Sequence, residues 1–401
     1  MVDVKDLLNN VADGDDKVDY KDSSSFFDDL DDDIGVPKIK IIGVGGAGNN
    51  IVKFLSAMRV WPKNIEIVGI NTDVQALKKI KSNFDVVLIG KKLLNGFGSG
   101  GKAEIGSLAF QESKENLSKI IDGADVLFLI AGLGKGTGSG VTPELAKLAK
   151  DKNITTVAIV TLPSISTEGD KVYTNAVVNY EKVKQNSDCI CTISNDKILL
   201  SDKKLSLIDE FKKGNEEIGS IINDFVDIIT ETYEFNIDFA DLRNFLKENK
   251  HFVHLHLRSE ENNMKDLKES FEKAIKNSYS SIVFAQDKPV NLLANFKITP
   301  KTTSLPKELK DIISAHAKNR NISFVYGLDA ENNSLIDISI FASIEEQAIE
   351  KSDTSYQKNE SEEESMLNET KMIVEQYKTT SVPTVQKNSF SFEMEDDEDN
   401  N

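Results

Sequence analysis

The chain has 401 residues, 39% of them apolar and 28% charged, with four histidines and two cysteines. That supports a globular core in about two domains, while a net charge of −18 with no basic patch argues against nucleic-acid binding. No apolar run reaches the roughly 18 residues of a membrane-crossing helix, and MVDVKDLLNN lacks a basic-then-apolar leader pattern.

The acidity sits at the ends. Residues 1–36 hold 12 acids and 3 lysines, and residues 351–401 hold 13 acids and 5 lysines, so the stretch between them is close to neutral. Both ends are rich in Asp, Glu, Ser, Asn and Lys, and 1–36 and 346–401 read as disordered acidic tails. Cys189 and Cys191 alternate on a predicted strand. Residues two apart are poor disulfide partners, so they read as buried thiols of a reducing compartment.

From residue 38 the chain reads as an α/β succession. Lys38–Val44 is a predicted buried strand, followed at once by Gly43-Val44-Gly45-Gly46-Ala47-Gly48 and a helix from about Asn49 to Met58. The spelling G-x-G-x-x-G is a dinucleotide fingerprint, weak when alone. Ile65–Ile70 is a second strand, ending in Asn71-Thr72-Asp73, and Val86–Ile89 a third. A second glycine segment, 96–101, precedes a helix over Ala103–Ser113.

The segment Ala124–Ala149 organises the rest. Val126–Ile130 reads as a strand buried on both faces. Five glycines follow between Gly132 and Gly140, and Thr142 with Pro143 suits the N-cap and first position of a helix. Strand, glycine loop and helix N-terminus together favour phosphate, because bare amides and the helix dipole face the anion. The hydroxyls of Thr137 and Ser139 add donors. Lys135 is followed by Gly136, so the loop is not a Walker A motif. The competing reading is a surface loop; the buried strand and capped helix beside it argue otherwise. Three such loops at the carboxyl edge of one sheet suggest a nucleotide wrapped from several sides.

Further on, Thr155–Thr161 and Asp188–Ser194 are predicted strands, and helical periodicity runs from about Asn215 to Thr230. A second, smaller α/β unit follows, with strands at 252–257, 281–285, 323–326 and 335–342 and helices at 265–277 and 307–319. On the first of these strands His254 and His256 share a face and His251 does not. With no further ligand cluster in the sequence, they read as a strand that carries histidines rather than as a metal site.

GVGGAGNN at 43–50, NTDVQAL at 71–77, GLGKGTGSG at 132–140, SNDK at 194–197 and NIDFADLR at 236–243, in this order and spacing, resemble the tubulin/FtsZ GTPase family over about residues 38–343. The resemblance implies a Rossmann-type parallel-sheet GTP-binding domain over 37–213. It also implies a central helix with a synergy loop over 214–246 and a smaller α+β domain over 247–345. By analogy, Gly46, Ala47, Gly48, Asn49 and Asn50 would cradle phosphates, and Asn71 and Asp73 would line the site. Ser99, Gly100 and Gly101 would sit near the γ-phosphate, and Gly134, Gly136, Thr137 and Gly138 would form the signature loop. Glu168 would meet ribose, while Asn195 and Glu216 would meet guanine. Asn236, Asp238 and Asp241 would complete hydrolysis in the adjacent subunit of a head-to-tail homopolymer.

The implied ligands are GTP or GDP, with Mg²⁺ held through the nucleotide and not directly by protein. The implied setting is a cytoplasmic, mid-cell bacterial division ring, with division proteins and a membrane tether as partners and no direct membrane insertion. Asp238 and Asp241 lie three apart at a helix start, so both can face one way.

Some positions depart from the family pattern. Val172 stands where an arginine is usual, Glu216 replaces Asp, Lys135 replaces Gly, and Lys102-Ala103 replaces Asn-Pro. HFVHLHLRSEENN follows the synergy loop in place of a glycine-rich segment, and the apolar-basic tethering peptide is absent. These departures keep open a slowly hydrolysing structural paralogue. An NAD(P)-dependent oxidoreductase is a further alternative, resting on the first glycine loop alone.

Overall fold

A computed structural model describes residues 35–80, 84–201, 206–230, 238–248, 250–259, 264–280, 289–298, 311, 318–328 and 336–344. Residues 1–34 and 346–401 of the acidic tails, Asn236 and the strand expected at 281–285 lie outside these residues. The sequence before residue 202 forms strands β1 (Ile39–Val44), β2 (Ile65–Asn71), β3 (Asp85–Leu88), β4 (Val126–Gly132), β5 (Thr155–Leu162) and β6 (Cys189–Ser194). Between them run helices α1 (Gly45–Met58), α2 (Val74–Ile80), α3 (Lys91–Leu94), α4 (Ala103–Ile121), α5 (Gly136–Asp151), α6 (Ile165–Glu168) and α7 (Asp170–Asn186), with α8 (Asn195–Ser201) after β6. Then come α9 (Leu207–Thr230), α10 (Phe239–Glu248), β7 (His251–Ser259), α11 (Met264–Asn277), β8 (Pro289–Ile298), β9 (Lys318–Leu328) and β10 (Ile336–Ile344).

The ten strands form one sheet in the order β3-β2-β1-β4-β5-β6-β7-β10-β8-β9. Strands β1 to β6 are parallel, each linked by a crossover helix, as continuous apolar runs require. The join to β7 is a single register pair, Ile190 with His251, and β10 then pairs antiparallel with both β7 and β8. One core face collects Ile39, Ile41, Phe128, Ile130, Val157 and Ile159 from the strands, Ile51, Val52 and Leu55 from α1, and Ile218, Ile221, Ile222 and Phe225 from α9. Phe225 joins the two halves of the sheet, with its ring 5.8 Å from Phe128, 5.3 Å from Phe252 and 3.9 Å from Phe341.

Five expectations change. The helix placed at Thr142 begins at Gly136, so the second half of the glycine loop is the first turn of α5 and Pro143 lies inside the helix. The reason is packing. A Cβ on Gly138 would stand 2.2 Å from the Gly132 carbonyl oxygen, and one on Gly140 would stand 2.0 Å from that of Ala103. These glycines let the helix press onto β4 and α4, rather than loosen the chain. Strand β8 was not expected, and the end of the helix expected over 307–319 is strand from Lys318. Helices α4 and α9 also run longer than their periodicity suggests.

Where α9 meets β7 and β10, a polar cluster interrupts the core. Asp224 Oδ2 lies 2.8 Å from His254 Nε2 and 3.5 Å from His256 Nδ1, and it accepts a 2.6 Å bond from Ser339 Oγ. His256 Nε2 is 2.9 Å from Asp337 Oδ1, and His254 Nδ1 is 4.0 Å from Glu217 Oε1. Burial pushes the Asp224 carboxyl up, but its bonds to the two imidazoles outweigh this and hold it far below the usual range. Burial likewise lowers His254 and His256. Their carboxylate partners win, raising His254 and bringing His256 to about 9.

Candidate functional site

The carboxyl ends of the parallel strands carry the loops. Val44 ends β1 and opens α1 with no side-chain cap, and Lys135 opens α5 in the same way; neither helix has an acid in its first turn. The two N-termini adjoin, because a Cβ on Gly45 would stand 3.0 Å from the Gly138 amide nitrogen and 3.4 Å from the Thr137 Cβ. Two uncapped sets of amides side by side form a concentrated positive end, which suits an anion.

Hydroxyls line the same place. Thr72 Oγ1 lies 2.8 Å from Thr137 Oγ1, and Ser99 Oγ lies 3.2 Å from Thr137 Oγ1. Asn71 Oδ1 accepts from the Thr72 and Asp73 amides at 2.8 and 3.3 Å, fixing that turn. Asp73 Oδ1 accepts from Gln75 and Ala76 amides at 2.7 and 3.1 Å, so it caps α2. The loop after β5 joins the cluster through Glu168. Its Oε1 accepts from Asn195 Nδ2 at 3.3 Å, and its Oε2 pairs with Lys135 Nζ at 3.3 Å.

The expected site residues divide by environment. Gly46, Ala47, Asn50, Gly100 and Gly101 are exposed, and a Cβ on Gly46, Gly100 or Gly101 would meet nothing within 4 Å. Gly48, Gly136 and Gly138 are packing positions: a Cβ on Gly48 would lie 2.3 Å from the Ile130 carbonyl oxygen, and one on Gly136 2.2 Å from Ser99 Oγ. Gly134, at φ +107°, packs against Val172 and accepts from Asn175 Nδ2 at 2.7 Å through its carbonyl. Asn49 is buried, and neither its amide nitrogen nor its amide oxygen has a hydrogen-bond partner.

Ser139 does not add a free donor as expected. It is fully buried, and its Oγ accepts from the Gly134 amide at 2.8 Å, closing the loop on itself. Glu216 sits exposed on α9, 3.8 Å from Lys212 Nζ. Sequence reasoning passed over Thr72, which the N-T-D spelling offered, and Asn175, which no motif marked.

Asp238 and Asp241 stand elsewhere. Asp238 Oδ1 accepts from the Ala240 and Asp241 amides at 2.7 and 3.0 Å, capping α10. Arg243 pins that helix to the amino end of β5. Its Nε donates to Thr155 Oγ1 at 3.0 Å and its guanidinium to the Asn153 carbonyl at 3.1 Å. β5 runs eight residues to Leu162, so its start, where α10 is tied, and its end, beside Gly132 of the glycine loop, are about 23 Å of strand apart.

Residues 38–202 match the GTPase domain of the tubulin/FtsZ family. By this match the segment is similar to a tubulin/FtsZ-family GTPase domain. The cell division protein FtsZ of Aquifex aeolicus (strain VF5) is 39% identical over 212 residues, 53% of this chain and 57% of that protein. The chain thus spans a little over half the length of the curated relatives it matches. Among solved structures, an empty FtsZ dimer of M. jannaschii superposes with a TM-score of 0.67 at 26% identity, over 86% of this chain and 92% of that one. The CetZ2 protofilament of Haloferax volcanii, bound to GTPγS, shares the fold at a TM-score of 0.64 and 19% identity, over 85% and 99%. In this segment the glycine loops, the buried Asn49 without a hydrogen-bond partner and the two bare helix ends share one edge of the sheet. Among the described residues no helix is long and apolar enough to cross a membrane.

Proposed function

We propose that this chain binds and hydrolyses GTP, and that it polymerises head to tail to organise a bacterial division ring. Asp238 and Asp241 of one subunit complete the site of the next. The observation that carries this reading is the separation just described: glycine loops at the carboxyl edge, and a carboxylate pair on a helix that Arg243 ties to the amino edge. Within one chain the two cannot meet. Stacking a second copy along the strand direction brings them together, and such a heterologous contact propagates into a filament.

The uncapped amides of α1 and α5 fit a nucleotide's phosphates, and the hydroxyls of Thr72, Ser99 and Thr137 fit the oxygens around them. Mg²⁺ bound through those phosphates would neutralise charge there. An exposed carboxylate from the neighbour then orients the attacking water. Asp73, occupied in capping α2, does not offer the free ribose-binding acid that a dinucleotide site needs. The proposed setting is the cytoplasm, with division proteins and a membrane tether as partners.

The test is GTP turnover per chain measured against protein concentration, with GTP-dependent sedimentation alongside. Shared catalysis predicts a rate per chain that climbs with concentration to a plateau. A constant rate, or none with full nucleotide binding, refutes the shared site. A slower variant of the same reading draws support from Val172, which packs against Gly134 where an arginine is usual, and from the Lys135–Glu168 pair.

A further inference from the structure

The proposed function does not use the cluster between α9 and the C-terminal strands. Asp224, His254 and His256 present one ligand atom each, and these atoms all lie within 4.8 Å of one another. Two pairs are closer: His254 Nε2 to Asp224 Oδ2 at 2.8 Å and His256 Nδ1 to the same oxygen at 3.5 Å. Ligands about 2.0–2.1 Å from a tetrahedral zinc ion stand about 3.3 Å apart, so small side-chain shifts would admit one.

The surroundings favour a cation as well. A ligating imidazole normally has its second ring nitrogen held by a carboxylate, which sets the tautomer and raises basicity. Here His256 would ligate through Nδ1, and its Nε2 already lies 2.9 Å from Asp337 Oδ1. His254 would ligate through Nε2, and its Nδ1 faces Glu217 at 4.0 Å. Ser339 Oγ donates to Asp224 at 2.6 Å and orients the carboxylate.

Charge points the same way. Asp224, Asp337 and Glu217 have side chains only 6%, 9% and 25% exposed. Three carboxylates so placed around two imidazoles hold positive charge in the cluster, and a dication with neutral imidazoles can supply it in place of the two ring protons. The His256 side chain is 30% exposed, which leaves a path from solvent to the cluster.

We propose that Asp224, His254 and His256 form a binding site for a divalent cation of the zinc type, which ties α9 to β7. Two nitrogens and one carboxylate oxygen suit Zn²⁺, Co²⁺ or Ni²⁺ better than Mg²⁺ or Ca²⁺, which prefer oxygen ligands alone. The site is therefore distinct in chemistry from any Mg²⁺ that accompanies a nucleotide. Its three ligands come from two elements about 30 residues apart in sequence, so occupancy fixes the central helix against the C-terminal strands.

The experiment uses the full chain, stripped with a chelator and kept free of nucleotide. Zn²⁺ is titrated calorimetrically, and Co²⁺ by the visible absorption that four-coordinate geometry produces. One equivalent is expected, with a rise in melting temperature. The chain has only four histidines, so a long-range ¹H–¹⁵N spectrum resolves each ring. His254 should lose its free Nε2 signal and His256 its free Nδ1 signal on adding Zn²⁺.

His256→Gln, at the exposed end of the cluster, should weaken binding at least tenfold, and Asp337→Asn should do so by 10–100-fold through the outer shell. Asp224→Asn risks the fold, and circular dichroism of each variant guards against that reading. Unchanged imidazole signals at excess Zn²⁺ would mean a self-contained ionic network and overturn the proposal. Full-affinity binding by His256→Gln would place the cation elsewhere and overturn it equally.

Discussion

A methyl group on Gly138 would stand 2.2 Å from the Gly132 carbonyl oxygen, whereas one on Gly46 would meet nothing within 4 Å. Gly138→Ala must therefore push α5 off β4, and it should cost about 1–3 kcal/mol in urea unfolding. Gly46→Ala should leave stability unchanged or raise it by up to about 1 kcal/mol, since Ala is the better helix former. Its methyl would point into the space proposed for phosphate, so GTP affinity should fall while the fold holds. Equal destabilisation by both changes would show that the open and packed classes are not real. In sequence the two kinds of glycine look alike. The motif reveals that the backbone approaches something closely; only the structure reveals whether that is a ligand or another backbone. The cysteines give a second residue-scale prediction. Burial pushes both thiols up; Cys191 and Asp188 add to the rise at Cys189, and Glu217 adds to that at Cys191. A proton held more tightly in the folded state stabilises it below the unfolded thiol pKa of about 8.5, and that stability fades as pH rises above it. Urea titrations should show stability falling above that pH by about 1.4 kcal/mol per unit for each thiol. Replacing both by Ala should flatten that slope, and an unflattened slope would assign it to other groups.

At the scale of the element, α9 and α10 carry the main tests. Phe225 on α9 touches Phe128 in the parallel half and Phe252 and Phe341 in the antiparallel half. Phe225→Ala should cost about 3–5 kcal/mol, since a fully buried ring leaves a cavity against three neighbours. A loss below about 1 kcal/mol would mean that the two halves do not share this contact. On α10, Asp238 and Asp241 should separate by kind. Asp238 accepts two amides at the helix start, so Asp238→Ala should cost about 0.5–2 kcal/mol of stability. Asp241 is exposed, and its carboxylate has no hydrogen-bond partner among the described residues, so Asp241→Ala should leave stability within about 0.5 kcal/mol. If GTP turnover nonetheless collapses in Asp241→Ala, the loss belongs to chemistry rather than folding. The apolar strands β1, β4 and β5 were legible because burial on both faces leaves a continuous apolar run. Strand β8 was not, since VNLLANFK mixes polar and apolar residues without clean alternation. The Asp224–His254–His256 cluster was hidden for another reason: two of its members are sequence neighbours, but the third arrives from a helix some 30 residues earlier.

For the whole molecule, the sheet sets a polarity. Every parallel strand from β1 to β6 ends at the glycine edge, and α10 is tied to the start of β5. A chain with this polarity has two unlike ends, and contact between unlike ends repeats without closing. That makes a complementation experiment decisive. Asp241→Ala keeps the nucleotide edge and loses the acid; Thr137→Val keeps the acid and removes the hydroxyl that Thr72 and Ser99 share. Each alone should hydrolyse GTP poorly at any concentration. Mixed in equal amounts, they should assemble at random, and about one contact in four would join an intact nucleotide edge to an intact acid. Turnover per chain should then recover towards about a quarter of the unmutated rate, and only above the concentration at which filaments sediment. A single-chain mechanism predicts no recovery at all, because neither variant then holds a complete site. Recovery without sedimentation would point instead to a closed pair, in which each subunit's nucleotide edge meets its partner's acid and assembly stops at two subunits.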